Sequence, residues 1–308
     1  MLIIEIEREK RKQMKKVFLI IPLLLLTHSV FAQFNILNAK DPSEIGLKNK
    51  EQQKMDFSLP LPYPYTEDRD VLWGKQVWER IDLDERFNLP LYYPTDSLAS
   101  MPNVRSLFDA LYSGIKSGKI TKVYADTYFT QKLNLDEIKE RMIAIDTTDA
   151  GMDQLADEGR VDPQFINVFH VNSETIEEYH FRGIWYFDAK YGELKYRLLG
   201  VAPVAVDPKG MAAGVSPDLV EVFWVFYPDA RLTLHDYYAF NPRNTTHPID
   251  YDHLLNARRF SGIIYKEDNV YGDREIKEYI HDNALRQLLE SQKIKDKIRE
   301  YEEDMWNY

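Results

Sequence analysis

Through the middle of the chain, β-branched and aromatic residues gather in short runs that alternate or fill a strand. These are Val168 to Val171, Gly183 to Asp188, Leu194 to Leu199, Val201 to Val206, Leu219 to Tyr227 and Ile263 to Lys266. Tyr191-Gly192 and Pro228-Asp229 supply hairpin-type turn chemistry between them. On either side the apolar period lengthens to that of a helix. Leu107, Leu111 and Ile115 form one stripe, with Ser100-Met101-Pro102 ahead of it as a helix start and Gly118 as its stop. Ile120 to Tyr124 follows as a strand, and Asn134 can cap a helix running through Met142. Tyr251 to Arg259 reads as a short helix, and from Asp273 onward the pattern is helical to the end. Asp70 to Leu83 fits both periods. Trp73, Val77 and Ile81 fall at helical spacing, and with Val71 and Leu83 they also share one parity. The helical reading is preferred for Asp70 to Trp78.

These elements predict an α+β protein with a mixed or antiparallel sheet and flanking helices. The core domain spans residues 69–272, behind an extended Pro-rich arm over 33–68 and ahead of a long C-terminal helix within 273–308. In the arm, Pro60, Pro62 and Pro64 alternate with Leu59, Leu61, Tyr63 and Tyr65, which enforces a polyproline-like path. Exposing those four apolar side chains together is costly, so the arm is expected to dock on a neighbouring surface through Tyr63 and Tyr65. In the C-terminal helix Ile294, Ile298, Tyr301 and Met305 form a strip with heptad spacing, and the other faces are charged. Such a strip packs either on its own body or on another chain. Its narrowness favours another chain.

The N-terminal stretch changes the compartment. Lys15 and Lys16 precede an apolar run from Val17 to Leu26, and Val30-Phe31-Ala32 suits a cleavage site. That is the pattern of a secretory signal peptide over 14–32, with residues 1–13 as an upstream start artefact. The run is short for a membrane span. The formal net charge is −11, and loss of the basic leader makes it more negative, which argues against a nucleic-acid partner. With no cysteine, the chain can be neither a lipoprotein nor disulfide-stapled.

Reaction chemistry is sparse. No histidine pair has a zinc-site spacing, and His247-Pro-Ile-Asp-Tyr-Asp-His253 is the nearest approach to a ligand cluster. Asp146, Asp149, Asp153, Asp157, Glu158 and Asp162 crowd a polar insert, but their spacing matches no EF-hand, so it reads as a solvated acidic loop. There is no nucleophile elbow, no catalytic cysteine and no phosphate loop. No catalytic, cofactor or metal residue is assigned, and the chain is not expected to be an enzyme.

The densest segment is Arg69 to Pro94. It combines Trp73 and Trp78, Arg69, Arg80 and Arg86, five acidic residues and the Tyr92-Tyr93-Pro94 ending. Large aromatics among charges suit a contact surface. Here the pattern D-V-x-W-x-K-x-V-W-x-x-I-D-L-x-x-x-x-N-x-P-x-Y-Y-P stands from Asp70 to Pro94. It resembles the hallmark segment of the GldN/PorN family, and Phe181 to Val206, Glu221 to Pro242 and Asp252 to Tyr265 are also similar to that family. The resemblance implies a periplasmic, non-enzymatic subunit of the type IX secretion and gliding machinery, peripheral to the outer membrane. It further implies a ring with the GldK/PorK lipoprotein, contact with the periplasmic part of the motor subunit GldM/PorM, and other copies of itself as neighbours. The candidate contact residues are Tyr63, Tyr65, Arg69, Arg80, Arg86, Tyr92, Tyr93, Ile294, Ile298, Tyr301 and Met305. A different class, a periplasmic carbohydrate- or peptidoglycan-binding protein that stacks sugars on exposed aromatics, also suits this composition. A ring subunit should be unstable or protease-sensitive alone, and a sugar binder stable alone.

Overall fold

A computed structural model describes residues 59–96, 103–213, 218–241, 249–281 and 283–305. The expected leader, the first part of the arm, the Ser100-Met101-Pro102 helix start and His247 lie outside the described residues. In chain order the elements are β1 (Val71–Asp82), α1 (Leu89–Tyr92), α2 (Leu107–Lys116), β2 (Val123–Tyr124), α3 (Leu135–Met142) and β3 (Ile143–Thr147). There follow α4 (Asp149–Glu158), β4 (Ile166–His170), β5 (Ile176–Asp188), β6 (Glu193–Val206), α5 (Pro208–Ala212), β7 (Leu219–Glu221) and β8 (Trp224–Phe226). The last are α6 (Tyr227–Asp236), β9 (Tyr238–Ala239), β10 (Ile249–Asp250), α7 (Tyr251–Asn256), β11 (Ile263–Glu267), α8 (Ile276–Tyr279) and α9 (Ala284–Met305). The main sheet has the order β11-β1-β5-β6-β8-β2, with β7 also on β6. Its pairings are antiparallel throughout. The α+β class and the antiparallel sheet are therefore as the sequence predicts.

Its spine is the β5–β6 hairpin, whose turn closes at Gly192 with φ near 65°, a conformation that favours glycine. The two runs read on either side of Gly200 are one strand, β6. Strand β1 pairs with β5 on one side and β11 on the other, and this corrects the helical reading of Asp70 to Trp78. The reason is burial on two faces. Val77 packs with Ile264 on one side, while Trp78 packs with Ala202 and Trp224 on the other. A single helical stripe through Val77 and Ile81 would have left Trp78 off it. Gly74 in mid-run also disfavours a helix.

Two other expectations are corrected. Pro228-Asp229 opens helix α6 instead of a hairpin turn: Pro228 sits in the first helical turn, where its missing N–H costs nothing. The Asp229 carboxylate accepts from the backbone N–H groups of Thr121 and Lys122. The acidic insert is not a loop. It holds the end of β3 and then α4, capped by Thr148 and stopped by the left-handed Gly159. Helix α3 follows the reading closely, and α2 keeps the expected stripe but starts at Leu107 instead of near Pro102, because residues 103–106 are not helical and Ser106 is the cap. Asn134 with Glu137 forms a capping box on α3.

Helices α2, α6 and α7 cover a large apolar cluster that includes Phe108, Leu111, Tyr227, Leu234, Tyr251, Tyr179 and Phe181. Helix α9 covers a second, made of Val77, Ile264, Ile276, Ile294 and Ile298. Here the reading of the C-terminal strip is corrected. Ile294 is 1% exposed and Ile298 5%, both in the chain's own core. Tyr301 stacks on Trp73 with ring centroids 4.5 Å apart, and Met305 at the end is half-buried. The strip is therefore used within the chain and is not free for a partner.

Candidate functional site

The signature segment, taken residue by residue, is mostly architecture. Trp73 carries Tyr301. The Lys75 ammonium reaches the carboxylates of Glu267 and Asp268, locking β1 to the end of β11. Asn88 is fully buried: its amide donates to the carbonyls of Asp82 and Ser261 and accepts from the Ser261 N–H. It thus staples the loop after β1 to the start of the β11 segment. Pro90 lies in the first turn of α1, and Leu91 beside it is buried. Glu79 is 1% exposed and receives both guanidinium nitrogens of Arg258, at 2.8 and 3.1 Å. Arg258 in turn lies over the rings of Tyr196 and Trp185. Gly183 makes room for this stack, because a Cβ there would overlap the Tyr196 ring. On the other face Arg182 lies over Trp78, Tyr128 and Phe129 and donates to the Thr127 carbonyl and Gln76.

The candidate arginines separate. Arg69 is exposed and pairs with Glu67 at 2.6 Å, Arg80 reaches Glu178 at 3.7 Å, and Arg86 is exposed. Tyr92 packs at the edge of the large cluster and donates to the Glu174 carbonyl, while the exposed Tyr93 ring meets it edge-on. The described tryptophans are committed to packing, while tyrosines such as Tyr191 and Tyr271 stay exposed. Trp78 and Trp224 are buried, and Trp73 and Trp185 pack beside the cluster under α9. Among the described residues no group of three or more His, Asp or Glu can hold a metal ion; His253 sits on α7 and its backbone N–H is taken by Asp250.

The arm makes the most distinctive contact. Tyr63 lies between two guanidinium groups, that of Arg231 at 4.1 Å and that of Arg197 at 4.4 Å from its ring centre. Its hydroxyl donates to Asn256 Oδ1 at 3.1 Å, and Arg231 also donates to the Leu61 carbonyl at 2.6 Å. Burial raises the Tyr63 pKa against the lowering pull of Arg231, so the hydroxyl keeps its proton and can donate. The receiving residues are fixed without the arm. The Asp252 carboxylate accepts from Arg231 at 2.7 and 3.0 Å, and from Tyr227 and Asn256 at 2.9 Å each. Sequence reading found Tyr63 and missed this clamp, because Arg197, Arg231, Asp252 and Asn256 are scattered over β6, α6 and α7. By contrast Tyr65, Leu61 and Leu59 point to solvent, 82%, 78% and 70% exposed.

A groove of about 450 Å³ opens between the sheet and the α8–α9 corner, lined by Arg80, Glu178, His180, Tyr265, Glu275 and Leu288 among others. His180 Nδ1 is 2.7 Å from Glu221 Oε1, its Nε2 is 3.6 Å from Glu178, and its ring tilts against Tyr265. Glu221 also accepts from the Trp224 indole at 2.6 Å. Burial lowers the His180 pKa, but bonds to Glu178 and Glu221 more than offset it, so the net shift is upward. A histidine with a raised folded-state pKa gives stability that is complete below its unfolded value of about 6.5 and fades as pH rises through the folded value. The urea midpoint of the wild type is therefore expected to fall as pH rises from about 6.5 through the raised folded-state pKa. His180→Gln should be less stable at the acid end and lose most of this slope. A slope unchanged in the variant would assign it to other groups.

The family model described as "GldN: Gliding motility associated protein GldN" matches residues 66–307. A comparison with curated proteins gives no match.

Proposed function

Because this chain belongs to the GldN family of gliding motility associated proteins, we propose that it is a structural, non-catalytic subunit of the type IX secretion and gliding machinery. In this reading it works in the periplasm after loss of its leader. It forms a ring with a GldK/PorK-like outer-membrane lipoprotein and contacts the periplasmic domain of a GldM/PorM-like motor subunit. The observation that carries the reading is on α9. Its C-terminal two-thirds is seated on the sheet, but Leu285, Leu288 and Leu289 in its first turns are 66%, 48% and 60% exposed. Their spacing places them on one helical face. Leu288 also borders the groove beside α8. An apolar face left in water beside a core that the rest of α9 covers suits a surface that another protein covers.

The test is the full-length double variant Leu285→Asp/Leu289→Asp. Aspartate early in a helix is compatible with the helix dipole, so the fold should persist. Co-purification with the lipoprotein partner should fall about tenfold or more, which corresponds to ~1.4 kcal/mol. Wild-type recovery with an unchanged circular dichroism spectrum would remove this face from the interface.

A further inference from the structure

We propose that the Tyr63 clamp is an exchange site: in the assembled protein, the clamp of one copy holds the arm of a second copy. This rests on the reading that copies of the chain stand beside one another, and it adds which segment joins them and where. Three observations lead to it.

First, the clamp is self-sufficient. Arg231 is held by Asp252, and Asp252 by Tyr227 and Asn256, with no help from the arm. Arg197 lies over the Tyr186 ring at 5.6 Å and donates to its hydroxyl at 3.4 Å, and two guanidinium groups so placed accept a tyrosine ring from either source. Second, the arm is joined to the body by a connector that opposes little movement. The turn at Asp68–Asp70 contains no buried residue and Arg69 in it is 78% exposed. Among the described residues, the arm's hydrogen bonds and ring contacts to the body run through the Leu61 carbonyl and the Tyr63 side chain, with Thr66 partly buried behind them. Exchange of an arm through such a hinge repeats the same contacts and so costs little. Third, the placement on its own body is incomplete. Leu59, Leu61 and Tyr65 remain in solvent on both sides of the anchored tyrosine. A proline-stiffened segment that leaves three large apolar side chains uncovered in one copy gains their burial when it lies across the junction with a neighbour. The occupant is thus the segment over residues 59–65 of a second copy, with proline-flanked Tyr63 as its key.

The experiment uses full-length chains. Two differently tagged copies are co-expressed with the lipoprotein partner. One carries Tyr63→p-benzoylphenylalanine, and the purified assembly is irradiated and its linked peptides identified. Exchange predicts a product containing both tags, joining position 63 of one copy to α6 or α7 of the other. Placing Arg197→Gln only in the accepting copy should lower that product about fivefold, the loss of one cation–π contact. The photoreactive group moved to position 65 should link elsewhere. Links found only within one chain would overturn the proposal, as would links to the lipoprotein or no link at all. Ring assembly is read separately, from co-purification and particle size. Intact assembly with intrachain links refutes exchange alone, whereas chains that never co-purify refute the subunit reading.

Discussion

Replacing Ile294 and Ile298 together by alanine should release α9 from the sheet. Each side chain is almost fully buried against Val77, Ile264 and Ile276. Truncating a buried isoleucine costs about 2–5 kcal/mol. The two lie one turn apart and share a cavity, so their costs couple, and the pair should cost on the order of 4–8 kcal/mol. That is a large part of the ~5–15 kcal/mol by which a typical domain is stable. The cheaper response is local. Beyond these two residues, α9 is held by buried Ser291, the Tyr301–Trp73 stack and a few polar ties such as Lys295 to the Gly262 carbonyl. The helix should therefore undock while the β5–β6 hairpin stays formed. Hydrogen exchange should show amides over 284–305 losing protection, with those of β5 and β6 retaining theirs, and ellipticity at 222 nm should fall. Full protection of α9 in the double variant would mean that the strip is not what seats it.

Arg258→Ala should be the most damaging single change on the same face. It leaves the Glu79 carboxylate at 1% exposure with only the Tyr196 hydroxyl nearby, at 3.5 Å. Removing one partner of a buried pair costs about 3–5 kcal/mol, because the other charge stays buried. For a domain of this size that corresponds to a fall in Tm of about 10 °C. Position 258 has φ near 48° in the wild type, a strain that alanine shares, so the loss is not a backbone effect. Arg258→Lys restores a charge but not the two-pronged geometry, and should recover only part of the loss. Adding Glu79→Gln to Arg258→Ala should recover some as well, since a neutral amide is cheaper to bury than an unpaired carboxylate. If Arg258→Ala melts like the wild type, water reaches Glu79 and the pair is not buried in solution.

Periodicity made most of the architecture legible. Alternation found β5, β6 and β11, the apolar stripe found α2 but not its Ser106 cap, the Asn134 cap found α3, and the turn at Gly192 was visible as Tyr-Gly. It failed where one residue set satisfies two periods. Val77 and Trp78 serve opposite faces of a central strand, and local sequence does not state that a segment will be buried on both sides. It failed again at Ile294 and Ile298, because a narrow strip says how much surface is covered but not whose. The contact residues were legible only in part. Tyr63 stood out by its prolines, yet what holds it comes from Arg197, Arg231 and Asn256, which no local pattern connects. In the signature segment the conspicuous residues Trp73, Trp78 and Asn88 proved to be fastenings of the fold.

The place of β1 in the sheet also governs how the chain acquires its structure. This strand begins at Val71, yet its neighbours are β5, about a hundred residues later, and β11, which ends at Glu267. Pairings so distant in sequence require the closure of long loops before any contact is gained, and proteins dominated by them fold slowly. Until β11 is available, β1 lacks one of its two partners and the growing sheet has an open edge along a twelve-residue strand. Such an edge is a template for the wrong chain. Refolding yield should consequently fall steeply with protein concentration. A chain that ends before Ile263 should aggregate, because β1 is then left as the edge strand with Val77–Arg80 uncovered.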